Sequence, residues 1–379
     1  NDNNLKTGYY YFVANGENYP VHVITLDGNQ HFTENQTFGD AYDVATASTY
    51  AQNMVIVKVN GDLTIDEGVT VAPYYTQYGG PKGFTIYVTG KLTNNGIIDN
   101  SHGAKAVGQN VYLWKNADGT YEYVPAEGAA GGINTSKYTT NGTSGTSGTG
   151  RQTGGGGTSG SIASKAGFGS TGTSYSGGTG GAGLYNSNYK NYDGQPNGGS
   201  GGITNPNSGQ NTYYGGGAGN PGGTGNPKGG DGTGGLLTIY ANEYENKGKI
   251  TAVGKQGGKR VISGGSSGGG SINIFTSQNT EIDQLGIITN TRYEEIKGTT
   301  LSNGGSTTTC SGSAGSNGCR TGGAGGLGTV NIGEIRNGQY YDLKDIIEQD
   351  KEKYIESVTI KGESILSILN DNNLKTGYY

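Results

Sequence analysis

Charge is scarce in this chain, and so are large apolar residues. Only 15% of the 379 residues are charged and 31% are hydrophobic, whereas an ordinary globular domain carries about 25% charged residues. The formal net charge of −5 excludes a nucleic-acid footprint built on clustered Lys and Arg. No stretch approaches the roughly 20 apolar residues of a membrane span, so no membrane insertion is expected. No leader of charged and then apolar residues opens the sequence; a mature chain, or an excerpt of a longer one, is expected. The three histidines, His22, His31 and His102, stand at no metal-ligand spacing, and His22 in VHVITL reads as the surface of a strand. Nucleophile-elbow, HExxH, P-loop and dinucleotide fingerprints are missing from the strand-then-helix context they need. Neither a cofactor nor a metal is expected.

Cysteine is equally sparse. Cys310 and Cys319 lie in the Gly/Ser/Thr-rich loop TTTCSGSAGSNGCRT. A disulfide closing this loop is the preferred reading, with two free thiols as the alternative. Such a bridge is worth about 2–3 kcal/mol by loop-closure entropy and implies an oxidising, extracellular setting.

What is abundant is glycine, at 77 residues, and tyrosine, at 28 against 6 phenylalanines and 1 tryptophan. Glycine has no side chain to bury and loses the most backbone entropy on folding. Much of the chain must therefore order through backbone hydrogen bonds and close backbone packing. Tyrosine suits such a surface, because its ring packs on a flat backbone while its hydroxyl stays wet. Exposed tyrosines can also stack on sugar rings.

The chain repeats its own beginning. Residues 1–10 read NDNNLKTGYY, and residues 370–379 read the same. The end of this chain is therefore expected to be the start of a next unit. Two arrangements follow: one period of a covalent tandem repeat, the favoured reading, or separate subunits exchanging equivalent end strands. Either gives a head-to-tail array, and a contact that does not close on itself makes an open filament. The residues expected to carry assembly are Leu5, Thr7, Tyr9 and Tyr10 in the first copy and Leu374, Thr376, Tyr378 and Tyr379 in the second. Leu5 to Phe12, or Leu374 to Tyr379 in the mirror role, is expected to pair with a strand of a neighbouring unit.

Strand signals dominate the rest. GYYYFVANGENYPVHVITL (8–26) reads as a hairpin about a Gly-containing turn. MVIVKVNGDLTIDEGVTV (54–71) alternates between turns. A related phrase recurs in GFTIYVTGKLTNNGIID (83–99), GLLTIYANEYENKGKITA (235–252), GSINIFTSQNTEIDQLGIIT (270–289) and GLGTVNIGEI (326–335). Short strands recurring with Asn/Gly turns suggest stacked coils. The expected fold is all-β, with β-solenoid or β-sandwich-like coils interrupted by a long glycine-rich insertion. Within that insertion Gly216, Gly219, Gly222 and Gly225 recur every third residue. That period fits packed polyproline-II-type glycine helices; a flexible linker is the alternative. DLKDIIEQDKEKYIE, opening at Asp342, reads as one short C-terminal helix. The expected organisation is an N-terminal hairpin region (1–50), first coils (51–128), the glycine-rich block (129–234), second coils with the cysteine loop (235–340), and a helix and strand entering the repeated segment (341–379).

A solenoid can carry glycosidase or lyase chemistry on paired carboxylates, and Asp62, Asp66, Glu67 and Asp99 are the candidates. Asp62, Asp66 and Glu67 lie in turns beside glycine, where turn chemistry alone calls for Asp, so no enzymatic activity is expected. Asn35, Asn134 and Asn141 open acceptor tripeptides for N-glycosylation. The phrases VYLWKNADGTYEYVPAEGAAGG (111–132), GGGAGNPGG (215–223) and GGSSGGGSINIF (264–275) resemble glycine-rich tandem-repeat surface proteins of bacteria, over about residues 54–335. The resemblance implies a surface fibre or adhesin and transfers no catalytic residue. The expected role is a structural repeat of an extracellular filament whose partners are copies of itself. A glycan-binding adhesin is the alternative, and it requires side-by-side tyrosines on one face.

Overall fold

The computed structural model describes residues 5–14, 17–44, 46, 51–76, 79–102, 110–115, 121–126, 234–254, 268–277, 299–301, 326–336 and 339–342. The expected Cys310–Cys319 disulfide, the second decapeptide with Leu374, Thr376, Tyr378 and Tyr379, the acceptors Asn134 and Asn141, nearly all of the glycine-rich block and the expected C-terminal helix beyond Asp342 lie outside the described residues. Among the described residues the chain is all-β, with seventeen strands and no helix.

Three sheets form. The first runs through β1 (Gly8–Ala14), β2 (Glu17–Asp27), β5 (Met54–Asn60), β8 (Gly83–Asn94), β12 (Leu236–Asn246), β14 (Ser271–Ser277), β16 (Thr329–Arg336) and β17 (Gln339–Asp342), in that order. Two short strands join its flank, β3 (Gln30–Phe32) on β6 (Leu63–Ile65) and β6 on β8. The second sheet orders β15 (Thr299–Leu301), β13 (Lys249–Thr251), β9 (Ile97–Asp99), β7 (Thr70–Pro73) and β4 (Gln36–Phe38). β10 (Asn110–Lys115) and β11 (Tyr121–Ala126) pair only with each other. Every ladder of the first two sheets is parallel, except at the two ends of the first. There β1 runs antiparallel to β2, and β17 antiparallel to β16.

Register explains the core. Adjacent parallel strands place identical positions of the recurring phrase side by side, so alternate residues make apolar columns across the sheet. One column runs Ile24, Val57, Ile86, Ile239, Ile274 and Ile332. A second runs His22, Val55, Phe84, Leu237, Ile272 and Val330 by the same pairings. Phe84, Ile86, Leu237, Ile239, Ile272 and Ile274 are fully buried. Val71, Ile98 and Ile250 of the second sheet join the same cluster. Burying each such side chain contributes about 1.5–3 kcal/mol, so a glycine-rich chain still gains a core where its strands stack.

Long strands turn a corner by a bulge. The β8–β12 register shifts by one residue between Ala241 and Glu243, opposite Thr89 and Gly90. Beyond the bulge β8 leaves β5 and pairs with β6. Gly90 donates its N–H to the Gly61 carbonyl at 2.9 Å, and a Cβ there would overlap the Asp62 carboxylate and the Gly61 backbone. Glycine is required because two backbones meet at this corner. The following turns stack as well: Lys247 and Gly248 donate to the Asn94 carbonyl at 2.9 and 2.8 Å, and Lys249 donates to the Gly96 carbonyl at 2.8 Å.

Candidate functional site

The N-terminal end of the first sheet combines the repeated segment, a buried acid and an uncovered apolar face. Val21 and Val23 of β2 face one way and close a small cluster with Met54, Tyr10 and Ile56. His22 faces the other way, at the head of the core column, and is 8% exposed. The expectation of a surface histidine is therefore corrected. The ring lies inward because its register partner, Val55, is a core residue.

Asp43 explains how a polar ring can end an apolar column. It is completely buried, and its Oδ2 accepts from His22 Nδ1 at 2.8 Å and from the Asp40 backbone N–H at 2.9 Å. Its Oδ1 accepts from the Asn53 side-chain amide at 3.0 Å. The carboxylate has only acceptors to offer, so the facing His22 nitrogen carries the proton. Gly39, with φ +90°, makes the turn that brings Asp40 and Asp43 there, and a Cβ on it would lie 2.8 Å from Asp43 Oδ2. A side chain would meet both backbone strain and a clash.

Leu5 to Tyr10, the described part of the first decapeptide, dock onto this cluster. Tyr9 stacks on His22 with centroids 4.2 Å apart and meets Tyr42 edge-on at 5.5 Å. Its hydroxyl donates to Asp40 Oδ2 at 3.2 Å and is pushed up to about 12, first by partial desolvation and then by the Asp43 and Asp40 carboxylates. Thr25 holds the preceding residues, donating its hydroxyl to the Leu5 carbonyl at 2.7 Å and its N–H to Thr7 Oγ1 at 3.0 Å. Tyr10 donates its hydroxyl to the Lys6 carbonyl at 2.9 Å. On one edge, then, β1 belongs to β2 of its own chain. Among the described residues no strand pairs with its other edge. Tyr9, Tyr11 and Val13 alternate on the side that later strands bury as core, yet here they are 50%, 71% and 65% exposed.

The His22, Asp40 and Asp43 ligand atoms lie within 4.8 Å of one another. Both Asp43 oxygens are already occupied by hydrogen-bond donors, so the cluster reads as a structural network. The carboxylates weighed for hydrolysis also hold turns. Asp62 Oδ1 accepts from the Lys91 N–H at 2.8 Å, Asp66 pairs with exposed His31 at 2.7 Å, and Asp99 accepts from the Thr251 hydroxyl at 2.6 Å. Glu67 is exposed in the turn after β6. His102 stacks on Tyr75 at 3.7 Å. Asn35 is exposed between β3 and β4, with its Oδ1 accepting from the Thr70 N–H at 2.8 Å.

Sequence reasoning singled out Leu5, Thr7, Tyr9 and Tyr10 for assembly but did not single out Asp43, Asn53 or Tyr42; the signal for Tyr42 and Asp43 was the GDAYD turn, and Asn53 had none. No helix among the described residues is long and apolar enough to cross a membrane. No family model matches the chain, and no curated protein or solved structure matches it.

Proposed function

We propose that the chain is one structural repeat of an extracellular surface fibre, folded as a β-solenoid and joined end to end with further copies of itself. The observation that carries this reading is the decapeptide NDNNLKTGYY at 1–10 and 370–379, whose first copy leads into the terminal strand of a sheet ordered like the sequence. β1 begins the first sheet and β17 ends it. A chain that continues past β17 therefore leaves at the end opposite to its start, and a further unit would extend the same axis.

Two features support the solenoid and the array. The parallel ladders return to the same two sheets in step, β5–β8–β12 in one and β7–β9–β13 in the other. The uncovered core-side residues of β1 leave an apolar end that a preceding unit can cover. The place beside β2 is filled by the chain's own β1, which favours a covalent tandem array over strand exchange.

Electron microscopy of the native material at neutral pH tests the proposal. Uniform filaments with a regular axial repeat are expected, and boiling with reductant should leave chains longer than one repeat. Discrete single particles would sink the reading.

A further inference from the structure

A second surface lies away from the N-terminal end, on the outer side of the first sheet. Outward positions follow the same registers as the core columns. One outward row places Tyr87, Tyr240 and Phe275 on adjacent strands. The ring centroids are 6.0 Å apart between Tyr87 and Tyr240 and 5.0 Å apart between Tyr240 and Phe275. Tyr87 is inclined 51° to Tyr240, so its neighbour does not close off its face, and it is 40% exposed. Beside the rings a polar row, with Asn60, Thr89 and Asn242, completes a groove of about 560 Å³. Asn242 is held there by the Ser277 hydroxyl, which donates to its side-chain oxygen.

The chemistry of this lining selects its ligand. Phe275 is only 2% exposed and backs Tyr240 from beneath, so the half-buried Tyr240 and the exposed Tyr87 offer the apolar, polarisable surface for the C–H faces of a flat ring system. The amides and hydroxyls beside them both donate and accept. Among the described residues the lining holds no carboxylate, Lys, Arg or His. An ionic ligand would surrender its hydration here without gaining a counter-charge. A peptide strand would find no backbone partners, because β8, β12 and β14 already use theirs in parallel ladders. An extended, neutral, hydroxyl-rich chain meets both demands, and lying across the strands it would encounter Tyr87 and then Tyr240.

We propose that the groove over Tyr87 and Tyr240 binds an uncharged glycan chain, held by ring stacking and by the amide and hydroxyl row. With no carboxylate in the described lining, the site binds without cleaving. The inference goes beyond the fibre reading and stands whether or not copies join end to end.

Affinity electrophoresis of the full chain tests it. Native gels are cast with neutral polysaccharides, namely xyloglucan, galactomannan and laminarin, and with polygalacturonate as the anionic comparator. Retardation by at least one neutral polysaccharide and none by polygalacturonate is expected. Tyr87→Ala should weaken that retardation about tenfold or more, as loss of a central aromatic contact does. Tyr87→Phe, which keeps the ring, should retain it. The exposed position of Tyr87 leaves folding intact, which circular dichroism of both variants checks. Migration unchanged in all three neutral gels, retardation by polygalacturonate alone, or Tyr87→Ala bound as tightly as the parent chain would overturn the proposal.

Discussion

In the middle of the first sheet, Ile239 has Ile86 on one side and Ile274 on the other. At the N-terminal end, the neighbouring column passes from Val55 to His22 and then to Tyr9. The middle is a periodic apolar solid in which each residue is covered by copies of itself. The end is a single polar device, with an imidazole held by a buried carboxylate and a ring laid over it. Parallel stacking has no stopping point of its own. Stopping takes a change of residue type and of strand direction, and both occur at β1 and β2. At the far end the direction also reverses, between β16 and β17, and a buried acid, Glu334, again stands in the last parallel strand.

The comparison breaks most visibly in the middle. Ile239→Ala removes a fully buried side chain with neighbours on two strands. A loss of about 3–4 kcal/mol is expected, within the span for large-to-small core changes. Hydrogen exchange should accelerate together in β8, β12 and β14, because the column couples them. Acceleration confined to β12 would show that the columns do not act as one body.

Asp43→Ala should be smaller and local. It strips the acceptor from His22 Nδ1, from the Asn53 amide and from the Asp40 N–H, leaving buried donors unpaired at a cost of about 1–3 kcal/mol. Amides of β1 and β2 should lose protection while β12 and β14 keep theirs. Equal loss across the whole sheet would show that the end cluster is part of the core and that the contrast between the regions is false.

These two regions were unequally legible in the sequence. The middle could be read from repetition: T-I-Y, T-I-Y and N-I-F recur, and each strand's alternation marks two faces. The register that sets Tyr87 beside Tyr240 and Phe275 follows from the same recurrence, since identical phrases stack in step. The corner at Gly90 carried one signal that was not used: a lone glycine inside the strand pattern YVTGKL, the residue that marks a bulge or a close approach of two backbones. The N-terminal end was misread at His22 for a definite reason. VHVITL carries apolar residues at both parities, Val21 and Val23 on one face and Ile24 and Leu26 on the other, so period-2 alternation cannot tell which face is core. Asp43 was invisible because the 21 residues that separate it from His22 follow no spacing rule; only a folded turn brings the two together. The polar column beside the core had the same fate. Asn94 donates to Asn246 at 2.8 Å, while the Asn94 side-chain oxygen and the Asn246 amide nitrogen are buried without partners. In register, Ile65 stands where the next asparagine of such a ladder would be.

The smallest expected effect sharpens the contrast from outside the core. Glu245 receives Lys91 Nζ and Lys247 Nζ, each at 2.6 Å. Those two bonds, Lys247 first, hold its carboxyl down to about 2, against about 4.3 for a free glutamate. The folded form therefore gains stability that is present above about pH 4.3 and is lost as the pH falls through 2. The side chain is 32% exposed, and solvent screening keeps the contribution below about 1 kcal/mol. Denaturant unfolding of the parent chain and Glu245→Gln checks it. The two should differ slightly at pH 6 and converge near pH 2, whereas the deficit of Ile239→Ala should stay the same at both. A Glu245→Gln deficit that persists at pH 2 would mean that the side chain acts through packing, and the distinction between an apolar interior and a pH-sensitive exterior would have to be redrawn at this strand.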